Sequence, residues 1–179
     1  MSRKILILFA HPAFHRSRAN RALAEAARGL EGVTLHDLYE TYPDLLVDVA
    51  REQKLLSEHD VVVFQHPFYW YSAPALMKEW MDHVLAHGWA YGRNGEALKG
   101  KIWTHAISAG AQAFDNAPEI ENRFSIAELL RPFEAAAHVC GMQWREPYIV
   151  HASLVTGEAA LQQAARGYRA HLLGLQRAG

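Results

Sequence analysis

The chain alternates between two hydrophobic patterns. Lys4–Phe9 and Val61–Gln65 are near-continuous apolar runs of strand length. Between and after them come segments whose apolar positions recur at helical spacing. Arg18–Leu30 is the clearest, with Leu23, Ala26, Ala27 and Leu30 on one face. Val33–Leu38, Lys101–Ser108 and Gln143–His151 read as further strands. Val47–Ser57, Pro74–Ala86, Ile126–Cys140 and Gly157–Leu175 read as further helices, the second of them opening on a proline in its first turn. Tyr91–Gly100 and Gln112–Glu121 read as loops.

Strands that helices cover on both faces lose their polar alternation, and the first and third strands have lost it. Regular β–α alternation then implies an α/β fold, a doubly wound five-stranded parallel sheet inside a three-layer α/β/α sandwich. The strand order expected for five such strands is 2-1-3-4-5. The 179 residues show no internal repeat or linker, so residues 1–179 are expected to form one domain.

That topology names the ligand site before any motif does. A crevice forms beyond the carboxyl ends of the strands where the order reverses, between the first and third. Three loops meet there. The first contains His11 and runs through Ser17, Arg18, Ala19 and Asn20 into a helix N-terminus, whose unpaired amides and positive dipole end favour an anion. Taken alone, it is also an ordinary Ser17 N-cap with solvated basic neighbours. The second holds Phe68, Tyr69, Trp70 and Tyr71, consecutive aromatics between prolines. They suit a large planar ring, or else an anchor or an oligomer contact. The third, Ser108, Ala109, Gly110 and Ala111, is small enough for backbone amides to approach a ligand edge. A phosphate at one end and a flat heterocycle at the other describe flavin mononucleotide (FMN).

Composition narrows the class. Half the residues are apolar, 21% are charged and the net charge is −1. There is no nucleic-acid footprint, and no strongly acidic surface of the kind expected on a one-electron carrier. The run from Ile5 to Phe9 stops at His11-Pro12 without a cleavage signature. No stretch approaches the ~20 apolar residues of a membrane span. A cytoplasmic protein is expected. Cys140, the one cysteine, sits in an apolar run and is expected to be a buried structural thiol. A Gly-x-Gly-x-x-Gly turn and a Walker A loop are both absent. So are the aspartates of a phospho-acceptor pocket. His83 and His87 stand four apart on a helix, but the zincin glutamate and a third ligand are missing, so no metal site is expected.

The segments Phe9–Pro12, Ser17–Asn20, Asp37–Tyr39, Tyr42–Asp44, Gln65–Tyr71, Pro74–Asp82, His87–Gly92 and Leu130–Glu134 are specific in their order and spacing. Through them the chain resembles the flavodoxin-like NAD(P)H:quinone oxidoreductases, and within these the ancillary proteins of bacterial glutathione-regulated potassium-efflux systems. The resemblance implies bound FMN with NAD(P)H as co-substrate and a ping-pong transfer of two electrons to a quinone-like acceptor. It implies His11 and Ser17–Asn20 on the phosphate side, and Phe68–Tyr71 with Ser108–Ala111 around the ring. Relatives carry a Thr-Thr-Gly-Gly type of loop where this chain has Ser108-Ala109-Gly110-Ala111. A homodimer is also implied, with Trp80, Trp89 and Tyr91 as the aromatics at hand for its interface. The alternative role is a regulator docked on a potassium-efflux transporter, peripheral to the inner membrane through that partner.

Overall fold

The computed structural model describes residues 2–110, 124–151 and 153–177. Strands β1 (Ile5–Phe9), β2 (Val33–Asp37), β3 (Val61–Pro67) and β4 (Ile102–Ser108) are parallel neighbours in the order β2-β1-β3-β4. The fifth position is shared. β5 (Gln143–Trp144) pairs with the start of β4, and β6 (Tyr148–Val150) pairs with its end. The expected single strand over Gln143–His151 is therefore two short ones. Pro147 supplies the reason: it has no N–H to give to the ladder. The carbonyl before it, that of Glu146, instead accepts a bond from the Thr104 hydroxyl at 3.0 Å. The order 2-1-3-4-5 holds.

The helices are α1 (Ala19–Ala27), α2 (Leu38–Thr41), α3 (Val49–Ser57), α4 (Ala75–Val84), α5 (Ile126–Leu129), α6 (Arg131–Val139) and α7 (Glu158–Arg177). The expected helix Ile126–Cys140 is broken at Leu130, because Pro132 fits only the first turn of a new helix. Ser125 and Glu128 form a capping box on the first piece. Gly141, at φ 66°, ends the second piece in a conformation that costs other residues strain. The short α2 is an addition to the sequence reading; the Asp37 carboxylate nucleates it by accepting the Tyr39 and Glu40 amides.

Alternate residues of the central strands feed two cores. Leu6, Leu8, Val62, Phe64, Trp103 and Ile107 face α3, α4 and α6, while Ile5, Ile7, Val61, Val63, Ile102 and Ala106 face α1 and α7. Each fully buried aliphatic of this kind contributes about 1.5–3 kcal/mol. Cys140 is buried, and burial pushes its thiol up from the ordinary value, which makes it the inert structural thiol expected.

Trp80 corrects the expectation about an interface. It is fully buried, and its indole N–H donates to Glu52 Oε2 at 2.8 Å. Trp89 and Tyr91 are half-buried and pack against the same core. Glu52 is itself 0% exposed and accepts two more bonds on Oε1, from His36 Nε2 at 2.8 Å and Tyr42 Oη at 2.5 Å. A buried carboxylate with three donors thus ties β2, α2, α3 and α4 together.

Candidate functional site

A cavity of about 590 Å³ opens at the carboxyl end of the sheet, between the loops after β1 and β3, where the strand order reverses. That volume falls within the range of small-molecule and cofactor sites. His11, Ser17, Arg18, Ala19, Phe68, Tyr69, Ser108 and Gly110 line it, so the three loops singled out in the sequence do converge. The described charged residues of its wall, Arg16 and Arg18, are both basic.

The first loop enters α1. The Asn20 amide is taken by the Ser17 hydroxyl at 3.2 Å, an N-terminal cap, and the amides before it have no intrahelical acceptor. His11 Nδ1 accepts the Ala13 amide at 3.1 Å, which places the proton of the neutral ring on Nε2, free to donate. Burial, the leading cause, holds the His11 pKa below its ordinary value, with nearby His15 adding to the effect against an opposing backbone hydrogen bond. The Tyr69 ring stands edge-on to His11, centroids 6.1 Å apart.

Asn20 does something the sequence did not suggest. Its side chain is fully buried and donates to the Ser108 hydroxyl at 2.6 Å. The Asn20 backbone carbonyl accepts from Gln65 Nε2 at 3.1 Å, and Gln65 Oε1 accepts from the buried Tyr168 hydroxyl. The Ser108 carbonyl accepts the Phe68 amide at 2.9 Å. Asn20 and Ser108 therefore join all three loops at the cavity floor.

The aromatic loop divides. Phe68 and Tyr69 line the cavity, whereas Trp70 is 93% exposed and Tyr71 is also exposed, and neither reaches the wall. Both have left-handed backbones, φ 49° and 62°, which cost residues with a Cβ about 1–2 kcal/mol each. In the third loop both backbone groups of Ala109 are committed, its amide to the Val150 carbonyl and its carbonyl to the Ser153 amide. Ala109 anchors the loop, and Gly110 stands at the cavity. A Cβ on Gly110 would lie 3.1 Å from Leu154 Cδ1, so a larger residue there would push that side chain. Ala111 lies outside the described residues.

The connection after β6 is a fourth wall, which the sequence reading missed. Ser153 and Leu154 line the cavity, and the Arg18 guanidinium donates to the Thr156 carbonyl at 2.9 Å and lies 3.6 Å from Glu158. The same carboxyl-end rule that selected the other loops would have found it. Among the described residues no group of His, Cys, Asp and Glu is arranged to hold a metal. His83 instead bonds Glu79, and the His87 ring meets Tyr91 edge-on.

A family model described as flavodoxin-like fold matches residues 3–172. The chain belongs to the flavodoxin-like family. It is 48% identical over 165 residues to the glutathione-regulated potassium-efflux system ancillary protein KefG of Pectobacterium carotovorum, covering 92% of this chain and 90% of that protein. Among solved structures it superposes on general stress protein 14 of Treponema denticola in complex with FMN. That match has a TM-score of 0.89 and 43% identity, over 97% of this chain and 99% of the other. An NADPH-quinone reductase of P. pentosaceus matches with a TM-score of 0.84 and 34% identity, over 94% and 96%. Among the described residues no helix is long and apolar enough to cross a membrane.

Proposed function

We propose that this protein binds FMN and passes two electrons from NAD(P)H to a quinone-class acceptor by a ping-pong mechanism. The observation that carries the reading is the cavity itself. A helix N-terminus with Arg16 and Arg18 lines it together with Phe68, Tyr69 and Gly110. The donor set fits the cofactor: positive charge and free amides for a dianion, aromatic faces for a ring, and a serine and glycine edge for its polar rim. Bound there, FMN supplies the hydride-accepting chemistry, and the protein supplies position and electrostatics. The His11 Nε2–H donates into the site as a neutral group. Ser17 and the first turn of α1 hold the phosphate end. Phe68 and Tyr69 exclude water from one side of the ring. Trp70 and Tyr71, exposed on the same loop, offer aromatic faces to a second planar ligand. Purified protein should acquire a flavin absorption spectrum on addition of FMN and should oxidise NAD(P)H when a quinone is present. A protein that takes up no FMN at micromolar ligand overturns this reading.

The charge of the first loop gives a sharper expectation. Arg18→Glu should weaken FMN binding by about tenfold and riboflavin binding much less, because only FMN brings a dianion to the helix end. Titration of both ligands by flavin fluorescence checks this. Equal losses would mean that the phosphate lies elsewhere.

A second reading rests on the similarity to KefG. The protein would act as an ancillary subunit of a potassium-efflux transporter, one face docking on its cytoplasmic part. Binding one transporter state better than another suffices to shift its equilibrium, without electron transfer. Potassium efflux measured with and without this protein tests the role; unchanged efflux and no co-purification reject it. A homodimer belongs to either reading. Its best surface is the apolar groove between α4 and α6, lined by Met81, Leu85, Phe133, Ala136 and Val139, rather than Trp80. Sedimentation at micromolar concentration should give twice the chain mass; a clean monomer rejects the dimer.

A further inference from the structure

Two fully buried histidines lie directly under the aromatic loop. His66, on β3, and His105, on β4, are both 0% exposed, and His66 Nε2 lies 2.9 Å from His105 Nδ1. His105 Nε2 lies 3.0 Å from the indole N–H of Trp103, and His66 Nδ1 lies 2.9 Å from the Pro67 carbonyl. The two ends set the direction. An indole N–H can only donate and a carbonyl can only accept. His105 therefore accepts on Nε2 and carries its proton on Nδ1. His66 accepts that proton on Nε2 and donates from Nδ1 to Pro67. Three hydrogen bonds run one way, from Trp103 to Pro67, with both rings neutral and every ring nitrogen satisfied. Burial, acting first, pushes His66 down to about 4 against the pull of the Pro67 carbonyl, and it holds His105 well below its usual range.

The outlet of this chain is the base of the loop. The Pro67 carbonyl also accepts the Tyr69 amide at 3.0 Å, and the Phe68 amide is held by Ser108. Beyond them come the left-handed Trp70 and Tyr71, closed by a bridge between Tyr69 and Ser72. Left-handed residues in succession persist only where their surroundings over-determine them.

We propose that His66, aligned by Trp103 through His105, is a positioning residue: its donation to the Pro67 carbonyl holds the strained Phe68–Tyr71 loop in the shape that receives the ring of the flavin. The inference rests on the FMN reading for its ligand, but not for its geometry. Two isosteric substitutions separate positioning from simple core packing. In His66→Asn the side-chain amide stands where Nδ1 stood and keeps the Pro67 bond. In His66→Gln it stands where Nε2 stood and keeps only the His105 bond. Each variant is compared with wild type for thermal midpoint, FMN affinity and hydrogen exchange of the Tyr69 amide.

His66→Gln should weaken FMN binding about tenfold and speed Tyr69 exchange by a similar factor, whereas His66→Asn should stay within about threefold on both. Trp103→Phe, which releases the His105 tautomer, should fall between them and serves if His66→Gln does not fold. Losses that simply follow the thermal midpoints, or a folded His66→Gln that exchanges and binds as wild type does, overturn the proposal. Wild-type protein that takes up no FMN defeats the flavin reading alone, because Tyr69 exchange still decides the positioning role.

Discussion

Glu52→Ala is expected to destabilise the protein by about 3–5 kcal/mol, because it leaves three buried donors without an acceptor. The donors are Trp80 Nε1 on α4, Tyr42 Oη just after α2 and His36 Nε2 on β2. None can turn to water without opening the core. Urea unfolding should show a lower midpoint with an unchanged slope; a loss below about 1 kcal/mol would mean the cluster relaxes freely. The cluster also carries a pH dependence. Burial alone would raise the Glu52 carboxyl, but the bonds from His36, Tyr42 and Trp80 outweigh it and hold the group below its usual value of 4.5. A depressed folded value means that the unfolded chain binds the proton more readily. The contribution is therefore complete above the unfolded value and is lost as pH falls through the folded one. In Glu52→Ala that part of the acid-side loss of stability should disappear.

Asn20→Ala is expected to weaken FMN and riboflavin binding alike, by about tenfold or more. Sequence reasoning placed Asn20 at the phosphate. In the fold its side-chain amide donates to the Ser108 hydroxyl, so Asn20→Ala removes the side-chain tie between the start of α1 and the end of β4, while its backbone carbonyl keeps the bond from Gln65. The contrast with Arg18→Glu is the test. Arg18 faces the cavity and should discriminate between the two ligands, while Asn20 should not. If Asn20→Ala spared riboflavin and abolished FMN binding, the side chain would have to reach the phosphate in the complex, and the tie to Ser108 would be secondary.

Much of the frame was legible in the chain. The near-continuous apolar runs at Lys4–Phe9 and Val61–Gln65 mark strands covered on both faces, and the structure buries β1 and β3 along their whole lengths. The helices after them follow from apolar spacing, and strand order follows from β–α alternation with short right-handed crossovers. The crevice follows from that order, which is why His11, Ser17, Phe68 and Ser108 could be named without coordinates. Local punctuation was harder. Pro132 and Pro147 each interrupt an element that the periodicity carries straight through.

The rest depends on contacts that no local pattern encodes. Asn20 meets Ser108 across 88 positions, His66 meets His105 across 39, and Glu52 meets Trp80 across 28. A polar residue amid apolar neighbours reads the same whether it caps a turn, lines a site or satisfies a buried partner, since its role is set by what stands opposite. The aromatic run shows the same division. Composition marked Phe68–Tyr71 as a place for rings, but only the backbone turn at Trp70 and Tyr71 decided that Phe68 and Tyr69 enter the cavity and the other two face outward. Sequence by itself determined the layers, the order of the sheet and the end at which chemistry gathers, because these follow from periodicity. The tertiary structure alone decided which donor meets which acceptor, because that pairing is fixed by strands and loops brought together from distant parts of the chain.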